Sequence, residues 1–149
     1  MKCERSEMLN SSKVCCDANL VVQWTMADDP NTTEFPIDRW LRAGTPLIAP
    51  ALLHFEITNV LHRIRQAKHV PLERVQQGLQ TALSLPITLY DDDELHLQAF
   101  AIAARFGFSA SYQAHYLALA SREDAQFWTH DKRLFNAVRY ELPWVILAE

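Results

Sequence analysis

The sequence predicts an α/β fold with a central, mostly parallel sheet of four to five short strands. Short apolar runs that can form buried strands alternate with longer segments whose apolar residues recur at helical spacing. The hydrophobic fraction of 49% and the presence of only three glycines in 149 residues are typical of a packed, helix-rich globule. We expect a single domain over residues 13–149, preceded by a flexible polar N-terminal segment of residues 1–12.

The chain alternates between the two kinds of element from one end to the other. The predicted strands, in order, are residues 13–16, 46–49, 86–90, 126–129 and 144–147. The predicted helices are residues 20–26, 37–42, 51–67 and 71–83, a helix that ends at residue 106, a helix that starts after Ser109 or Ser111, and residues 132–138. Strands that alternate with helices predict parallel pairing, and the functional groups of such sheets gather at the carboxyl ends of the strands.

Capping residues predict where several of these helices begin and end. Asn31 or Thr32 can cap the helix over residues 37–42, and Gly44 ends it. The acidic run at residues 91–93 can cap the helix that Gly107 ends. The full run DDDE, residues 91–94, resembles a metal-binding cluster, but it is more typical of a capped, solvated helix start.

Charge and cysteine content limit the classes of function. The net charge of −4 argues against a broadly basic surface and leaves room for a local basic groove. Cys15 and Cys16 are adjacent on a predicted buried strand, which indicates core thiols rather than disulfides. No apolar run approaches the roughly 18 residues that span a bilayer, and the first residues lack the apolar core of a signal peptide. We therefore expect a cytoplasmic protein with no membrane contact.

Three acidic residues follow predicted strands or lie early in the helices after them. Asp17 follows the first strand, Glu56 lies in the helix after the second, and Asp131 follows the fourth. Asp17 and Asp131 could each be simple helix caps. Glu56 lies in an apolar helical segment, where an acid is costly unless it is paired or bound to a cation. Together the three acids predict one site at the carboxyl edge of the sheet.

The segments that carry these acids resemble the motifs of the PIN domain, the nuclease fold of VapC-type toxins. VCCDANLVV resembles the first motif, APALLHFEITNVL the second and FWTHDKRL the last, while SASYQAHYLALA resembles the third. In the third motif the family places an aspartate where this chain has Gln113. The resemblance covers nearly the whole chain and implies a three-layer α/β/α sandwich.

The resemblance implies an endoribonuclease that uses Mg²⁺ or Mn²⁺ to hydrolyse RNA phosphodiester bonds. Asp17, Glu56 and Asp131 are then the metal ligands, and Gln113 is the fourth catalytic position. Neutral side chains that would hold these carboxylates in place are Asn19, Asn59 and Thr129. Mg²⁺ prefers oxygen ligands and keeps several waters, which suits such a set. Without a fourth negative charge, we expect weaker metal affinity rather than an empty site.

Basic side chains near the acids are candidates for contact with single-stranded RNA. Arg63 lies seven residues after Glu56 on the same predicted helix face, and Lys132 and Arg133 follow Asp131. The same residues could also be part of an ordinary solvated helix surface. The family further implies a homodimer and a small antitoxin protein as partner.

Two alternatives remain open on the sequence. A degenerate PIN domain could bind RNA or a protein partner without cutting, and Gln113 is the residue that raises this alternative. A phosphoryl-transfer or receiver-like α/β domain would also place acids at strand ends. It is disfavoured because the chain has no Gly-rich phosphate-binding loop and no lysine at the expected place after a late strand.

Overall fold

The computed structural model describes residues 12–28 and 34–148, in which a five-stranded parallel sheet is flanked by helices. The strands are β1 Val14–Cys16, β2 Leu47–Pro50, β3 Ile87–Tyr90, β4 Gln126–Thr129 and β5 Val145–Leu147. The helices are α1 Ala18–Thr25, α2 Pro36–Ala43, α3 Leu52–Lys68, α4 Leu72–Leu83, α5 Asp93–Phe106, α6 Tyr112–Arg122 and α7 Lys132–Val138. The predicted α/β fold is confirmed, and it has the form of a three-layer α/β/α sandwich.

The order of the strands in the sheet is β3-β2-β1-β4-β5, and every neighbouring pair is parallel. All three residues of β1 are buried, as expected for the central strand of a sheet covered on both faces. From β1 the chain builds one side of the sheet through β2 and β3, and then crosses over to build the other through β4 and β5. The carboxyl ends of β1 and β4 therefore lie at the switch point, where open α/β sheets form a crevice.

Helix ends follow the capping chemistry of the sequence, with two differences. Helix α1 begins at Ala18 rather than at residue 20, because the side chain of Asp17 caps it. Ser111 occupies the N-cap position of α6, but its side chain makes no capping hydrogen bond. Asp92 caps α5 as predicted, since its carboxylate accepts a hydrogen bond of 2.9 Å from the backbone N–H of Leu95.

The predicted cap of α2 by Asn31 or Thr32 lies outside the described residues. In the described part of the chain Phe35 holds the N-cap position, and its backbone N–H donates to the carboxylate of Asp38 at 3.1 Å. Gly44 and Gly107 end their helices as predicted, with φ angles of 67° and 68° that only glycine adopts at little cost.

Helix α3 carries Glu56, and the helical spacing of its apolar residues predicts a buried face made of Leu52, Phe55, Val60, Leu61 and Ile64. Leu61 is buried and Leu52, Val60 and Ile64 pack against the core, so Phe55 is the member of this set that departs from the prediction. Leu53, Ile57 and Leu61 are fully buried and repeat every four residues, so they form the stripe that faces the core. Phe55, which fits the apolar spacing in the sequence, is instead 74% exposed. Since Glu56 adjoins the buried stripe, its backbone is held firmly while its carboxyl group lies half-buried at the edge.

The core lies between the sheet and the helices, and both described cysteines belong to it. Cys15 and Cys16 are free and buried, and burial raises the pKa of both thiols, which keeps them protonated and inert. The N-terminal segment predicted to be flexible lies outside the described residues, apart from Ser12. None of the helices in the described chain is long and apolar enough to cross a membrane.

Candidate functional site at the carboxyl edge of the sheet

Asp17 lies at the centre of the carboxyl edge, between the last residue of β1 and the first residue of α1. Its backbone N–H continues the β1–β4 pairing by donating to the carbonyl of Trp128 at 3.2 Å. Its Oδ1 accepts from the N–H of Leu20 at 3.1 Å, and its Oδ2 accepts from the hydroxyl of Thr129 at 2.6 Å and from the N–H of His130 at 3.4 Å. Burial raises the pKa of Asp17, while these three donors act in the opposite direction.

Thr129, the last residue of β4, joins Asp17 to Asp131. Its side chain is fully buried, and its Oγ1 accepts the backbone N–H of Asp131 at 3.0 Å while donating to Asp17. The hydroxyl therefore has a single orientation, because its one proton is committed to the carboxylate. This bridge fixes the distance between the residues that follow β1 and β4.

Asp131 caps helix α7 and faces Gln113 on α6. Its Oδ1 accepts from the N–H of Leu134 at 3.0 Å, and its Oδ2 accepts from Nε2 of Gln113 at 2.8 Å. An ionised carboxylate only accepts hydrogen bonds, so the amide nitrogen of Gln113 must be the atom that faces it. The hydrogen bond from Gln113 is the main reason that the pKa of Asp131 lies below its usual value.

Glu56 approaches the same edge from helix α3. Its Oε1 accepts a hydrogen bond of 2.7 Å from the hydroxyl of Tyr116, a side chain of α6 that is 1% exposed. Burial raises the pKa of Glu56, the bond from Tyr116 lowers it, and the negative charge of Asp17 raises it further. The charge of Asp17 thus contributes to the raised pKa of Glu56, as expected if both carboxylates lie at the same edge of the sheet.

Two neighbouring cavities share Glu56 and Tyr112. The first, of about 740 Å³, also contains Asn19, Asn59 and Arg63. The second, of about 560 Å³, also contains Gln113, Asp131 and Arg133. Glu56 therefore lies between two cavities, the first lined by Arg63 and the second by Arg133.

The predicted site residues gather at this edge, with differences in detail. Glu56, Gln113 and Asp131 line one cavity, and Asp17 is tied to it through Thr129. Asn19 and Asn59 line the neighbouring cavity, and within the described residues neither donates to the three carboxylates. Lys132 is exposed at the start of α7. Their roles as catalytic, metal-binding or RNA-binding residues stay predictions.

Two contributions to the site were not foreseen from the sequence. Tyr116 holds Glu56, and its position three residues after Gln113, on the same helix face, was the available signal. The backbone N–H of His130 donates to Asp17, while its Nδ1 lies 3.1 Å from the carbonyl of Ala148. A backbone donor leaves no trace in the residue type, so the second contribution could not be predicted.

The carboxylate oxygen atoms at this edge are the type of ligand that hard divalent cations prefer. They are carboxylates held by neutral donors, and in the described chain no lysine or arginine makes an ion pair with Asp17, Glu56 or Asp131. Across residues 12–28 and 34–148, no three His, Cys, Asp or Glu side chains form a ready metal-binding group. The arrangement therefore suits an ion that keeps most of its water shell, as Mg²⁺ does with one or two carboxylates.

The parallel sheet with its acidic carboxyl edge places this chain among the open α/β proteins, whose ligand sites lie in the crevice at the switch point. The family model for the PIN domain matches residues 14–140, and the chain belongs to that family. PIN domains are generally nucleases and typically use divalent metal ions.

A comparison with solved structures supports the same fold. The crystal structure of PAE2754 from Pyrobaculum aerophilum is similar to this chain with a TM-score of 0.66 and 18% sequence identity. The match covers 92% of this chain and 91% of that one. No curated protein matches the sequence. At this identity the likeness shows the fold, and the site must be argued from its own residues.

Proposed function

We propose that this chain is a metal-dependent endoribonuclease of the VapC toxin type that hydrolyses phosphodiester bonds in single-stranded RNA. The observation that carries the proposal is the linked set at the carboxyl edge. Thr129 joins Asp17 to Asp131, and the charge of Asp17 contributes to the raised pKa of Glu56. A capping role explains Asp17 and Asp131. It does not explain Glu56, which lies in the second turn of α3 and accepts a hydrogen bond from the buried Tyr116 of α6.

Asp17, Glu56 and Asp131 are the residues that would hold Mg²⁺ or Mn²⁺ by this proposal. The ion, when bound, supplies an activated water and neutralises charge on the phosphate. Thr129 and Tyr116 keep the carboxylates of Asp17 and Glu56 oriented.

The chain's own residues also suit the binding of a phosphate backbone. Arg63 and Arg133 line the two cavities on either side of Glu56. Each would neutralise a phosphate next to the scissile one, and Lys132 would contribute from the start of α7. Tyr112 lies between the cavities and is 63% exposed, so a base that leaves the stack can pack on its ring.

The experiment is a cleavage assay on single-stranded RNA across a Mn²⁺ series. We expect Glu56→Gln to reduce cleavage by about 100-fold or more, in the range found when a group acting on the reacting centre is lost. Glu141→Gln is the matched control, since Glu141 pairs with Arg105 on an exposed surface. Equal, metal-independent cleavage by wild type and Glu56→Gln would refute the proposal.

A substitution at Gln113 distinguishes a site that cleaves RNA from one that only binds it. The amide donates to the oxygen of Asp131 that would otherwise face a cation. We expect Gln113→Asp to increase cleavage, most at low Mn²⁺, because a fourth carboxylate favours metal occupancy. RNA binding by wild type without cleavage, and no rescue by Gln113→Asp, would instead identify a degenerate binding module.

The proposal includes a cytoplasmic setting, a homodimer and a small antitoxin protein that holds the enzyme inactive. The homodimer is the part of this proposal that an exposed apolar surface supports. Leu97 and Phe100 lie three residues apart on α5, and they are 66% and 73% exposed. Light scattering on wild type and Phe100→Glu tests the dimer. A monomer at every concentration in both proteins would contradict this part of the proposal.

A further inference from the structure

Two histidines face each other where α5 and α6 begin. Nδ1 of His96 lies 2.9 Å from Nε2 of His115, and the ring centres are 5.0 Å apart with the planes at 74°. The two rings therefore meet edge to edge through their nitrogens. The pair lines a third recess of about 360 Å³ with Asp91, Phe55 and Tyr112, and Tyr112 also lines the two cavities at the carboxyl edge.

The outer nitrogen of each ring is already committed as a donor. Nε2 of His96 lies 3.1 Å from the carboxylate of Asp91, and Nδ1 of His115 lies 2.8 Å from the carbonyl of Ser111. A carboxylate and a carbonyl only accept, so both outer nitrogens must carry hydrogen. A neutral imidazole has one N–H, which leaves two bare lone pairs facing each other at 2.9 Å. A cation between the rings stabilises this arrangement, and it can be a proton carried by one imidazole or a metal ion bound by both.

We propose that His96 and His115 bind a divalent transition-metal ion such as Zn²⁺, Ni²⁺ or Cu²⁺, and that this site is distinct from the carboxylate edge. Imidazole is a preferred ligand of these ions, whereas Mg²⁺ prefers oxygen. A histidine ligand usually donates its second N–H to a carboxylate or a backbone carbonyl, and Asp91 and Ser111 supply one of each. Two side chains bind the metal and water completes the coordination.

The geometry requires only a small adjustment. Two nitrogens on one tetrahedral Zn²⁺ lie about 3.3 Å apart, given Zn–N distances of about 2.0–2.1 Å. The present separation is 2.9 Å, and the side chain of His96 is 59% exposed, so its ring is free to rotate by the small amount needed. The metal would link the first turn of α5 to the first turn of α6, the helix that also carries Tyr112 and Gln113.

The test is a calorimetric titration with Zn²⁺ in the presence of saturating Mg²⁺, which occupies oxygen sites and leaves imidazoles free. We expect one Zn²⁺ per chain for wild type, and loss of that binding in His96→Gln and in His115→Gln. His62→Gln is the matched control, because His62 is an exposed histidine on α3. Asp91→Asn should bind about 10-fold more weakly, the lower end of the effect of losing a partner that orients a metal-bound histidine.

Nuclear magnetic resonance of the histidine rings adds a signature specific to the two ring nitrogens that the proposal assigns to the metal. We expect Zn²⁺ to bind His96 through Nδ1 and His115 through Nε2, so the two residues show opposite tautomers. No Zn²⁺ binding by wild type, binding unchanged in both histidine variants, or binding lost only in Glu56→Gln would each overturn the proposal. Circular dichroism of the variants separates loss of the metal from loss of the fold.

Discussion

Asp17 and Asp92 have the same local role and opposite surroundings. Each caps a helix by accepting the N–H of the residue three positions on, Leu20 and Leu95 respectively. Asp92 also receives two hydrogen bonds of 2.9 Å from the guanidinium of Arg122, which together with the N–H of Leu95 hold its pKa below the usual value. In the described chain Asp17 has no such cation, and burial raises its pKa.

The difference separates a structural carboxylate from one available for chemistry. A carboxylate whose charge is neutralised by a bidentate arginine of the same protein gains little from binding a metal ion. A largely buried carboxylate that is held only by neutral donors has no counter-ion, so a cation that binds next to it is stabilised by its charge. Both aspartates cap a helix, so capping does not distinguish them. The presence of a counter-ion at Asp92 and its absence at Asp17, among the described residues, do.

The largest expected effect is on cleavage. Asp17→Asn should reduce Mn²⁺-dependent RNA cleavage by about 100-fold or more, because it removes a negative charge from the proposed metal site. Asp92→Asn should leave cleavage within a factor of two or so of wild type, an ordinary outcome for a residue outside the site. Similar losses in both variants would show that both aspartates act only through the fold.

Thr129 provides a test of the link between the two halves of the site. Thr129→Val should destabilise the fold by about 1–3 kcal/mol, since it leaves buried polar partners unsatisfied. It should also weaken Mn²⁺ binding by about 10-fold through loss of orientation at Asp17. Thr129→Ser, which keeps the hydroxyl, should recover most of the metal affinity. Failure of serine to do so would show that the methyl group matters more than the hydrogen bonds.

The two aspartates should affect stability in opposite directions when no metal is present. Asp17→Asn should raise the melting temperature at pH 7 by about 2–4 °C, the shift that about 1 kcal/mol gives in a domain of this size. The cause is relief of desolvated, mutually repelling charge at Asp17 and Glu56. Asp92→Asn should lower the melting temperature, since it removes the partner of Arg122. A less stable Asp17→Asn protein would indicate a capping role alone.

The dependence of stability on pH follows from the opposite pKa shifts of Asp92 and Asp17. For Asp92 the folded pKa lies below the ordinary 3.8, so its contribution is present above pH 3.8 and is lost as pH falls through the folded pKa. For Asp17 the folded pKa lies above 3.8, so its contribution is present below pH 3.8 and is lost as pH rises through the folded pKa. The gain from Asp17→Asn should therefore shrink towards pH 4. Melting curves of wild type and both variants from pH 3 to 8 measure it.

The smallest expected effect concerns Tyr116. Tyr116→Phe removes the hydrogen bond that lowers the pKa of Glu56, so that pKa should rise further. If cleavage needs ionised Glu56, the acid limb of the pH–rate profile should move to higher pH, with little change in rate on the plateau. An unshifted acid limb would show that another group controls it.

The sequence predicted the fold and the placement of Asp17, Glu56 and Asp131 at or near strand ends, but not their contacts, and a metal site shared by all three stays a prediction. Strand and helix order follows from residue patterning, and Asp17 and Asp131 follow from their place after strands. The exposure of Phe55 was missed because two overlapping helical spacings fit the apolar residues of α3, and only tertiary packing selects Leu53, Ile57 and Leu61. The direction in which Gln113 presents its amide depends on Asp131, which lies 18 residues away.

The hydroxyl of Thr129 and the carboxylate of Asp17 are separated by 112 positions along the chain. β1 and β4 pair at the centre of the sheet although a long stretch of chain separates them, so this pairing is a non-local contact of the kind that forms slowly. A nascent or truncated chain that stops before residue 126 lacks both Thr129 and Asp131. We therefore expect the proposed nuclease to be inactive in any fragment that ends before β4.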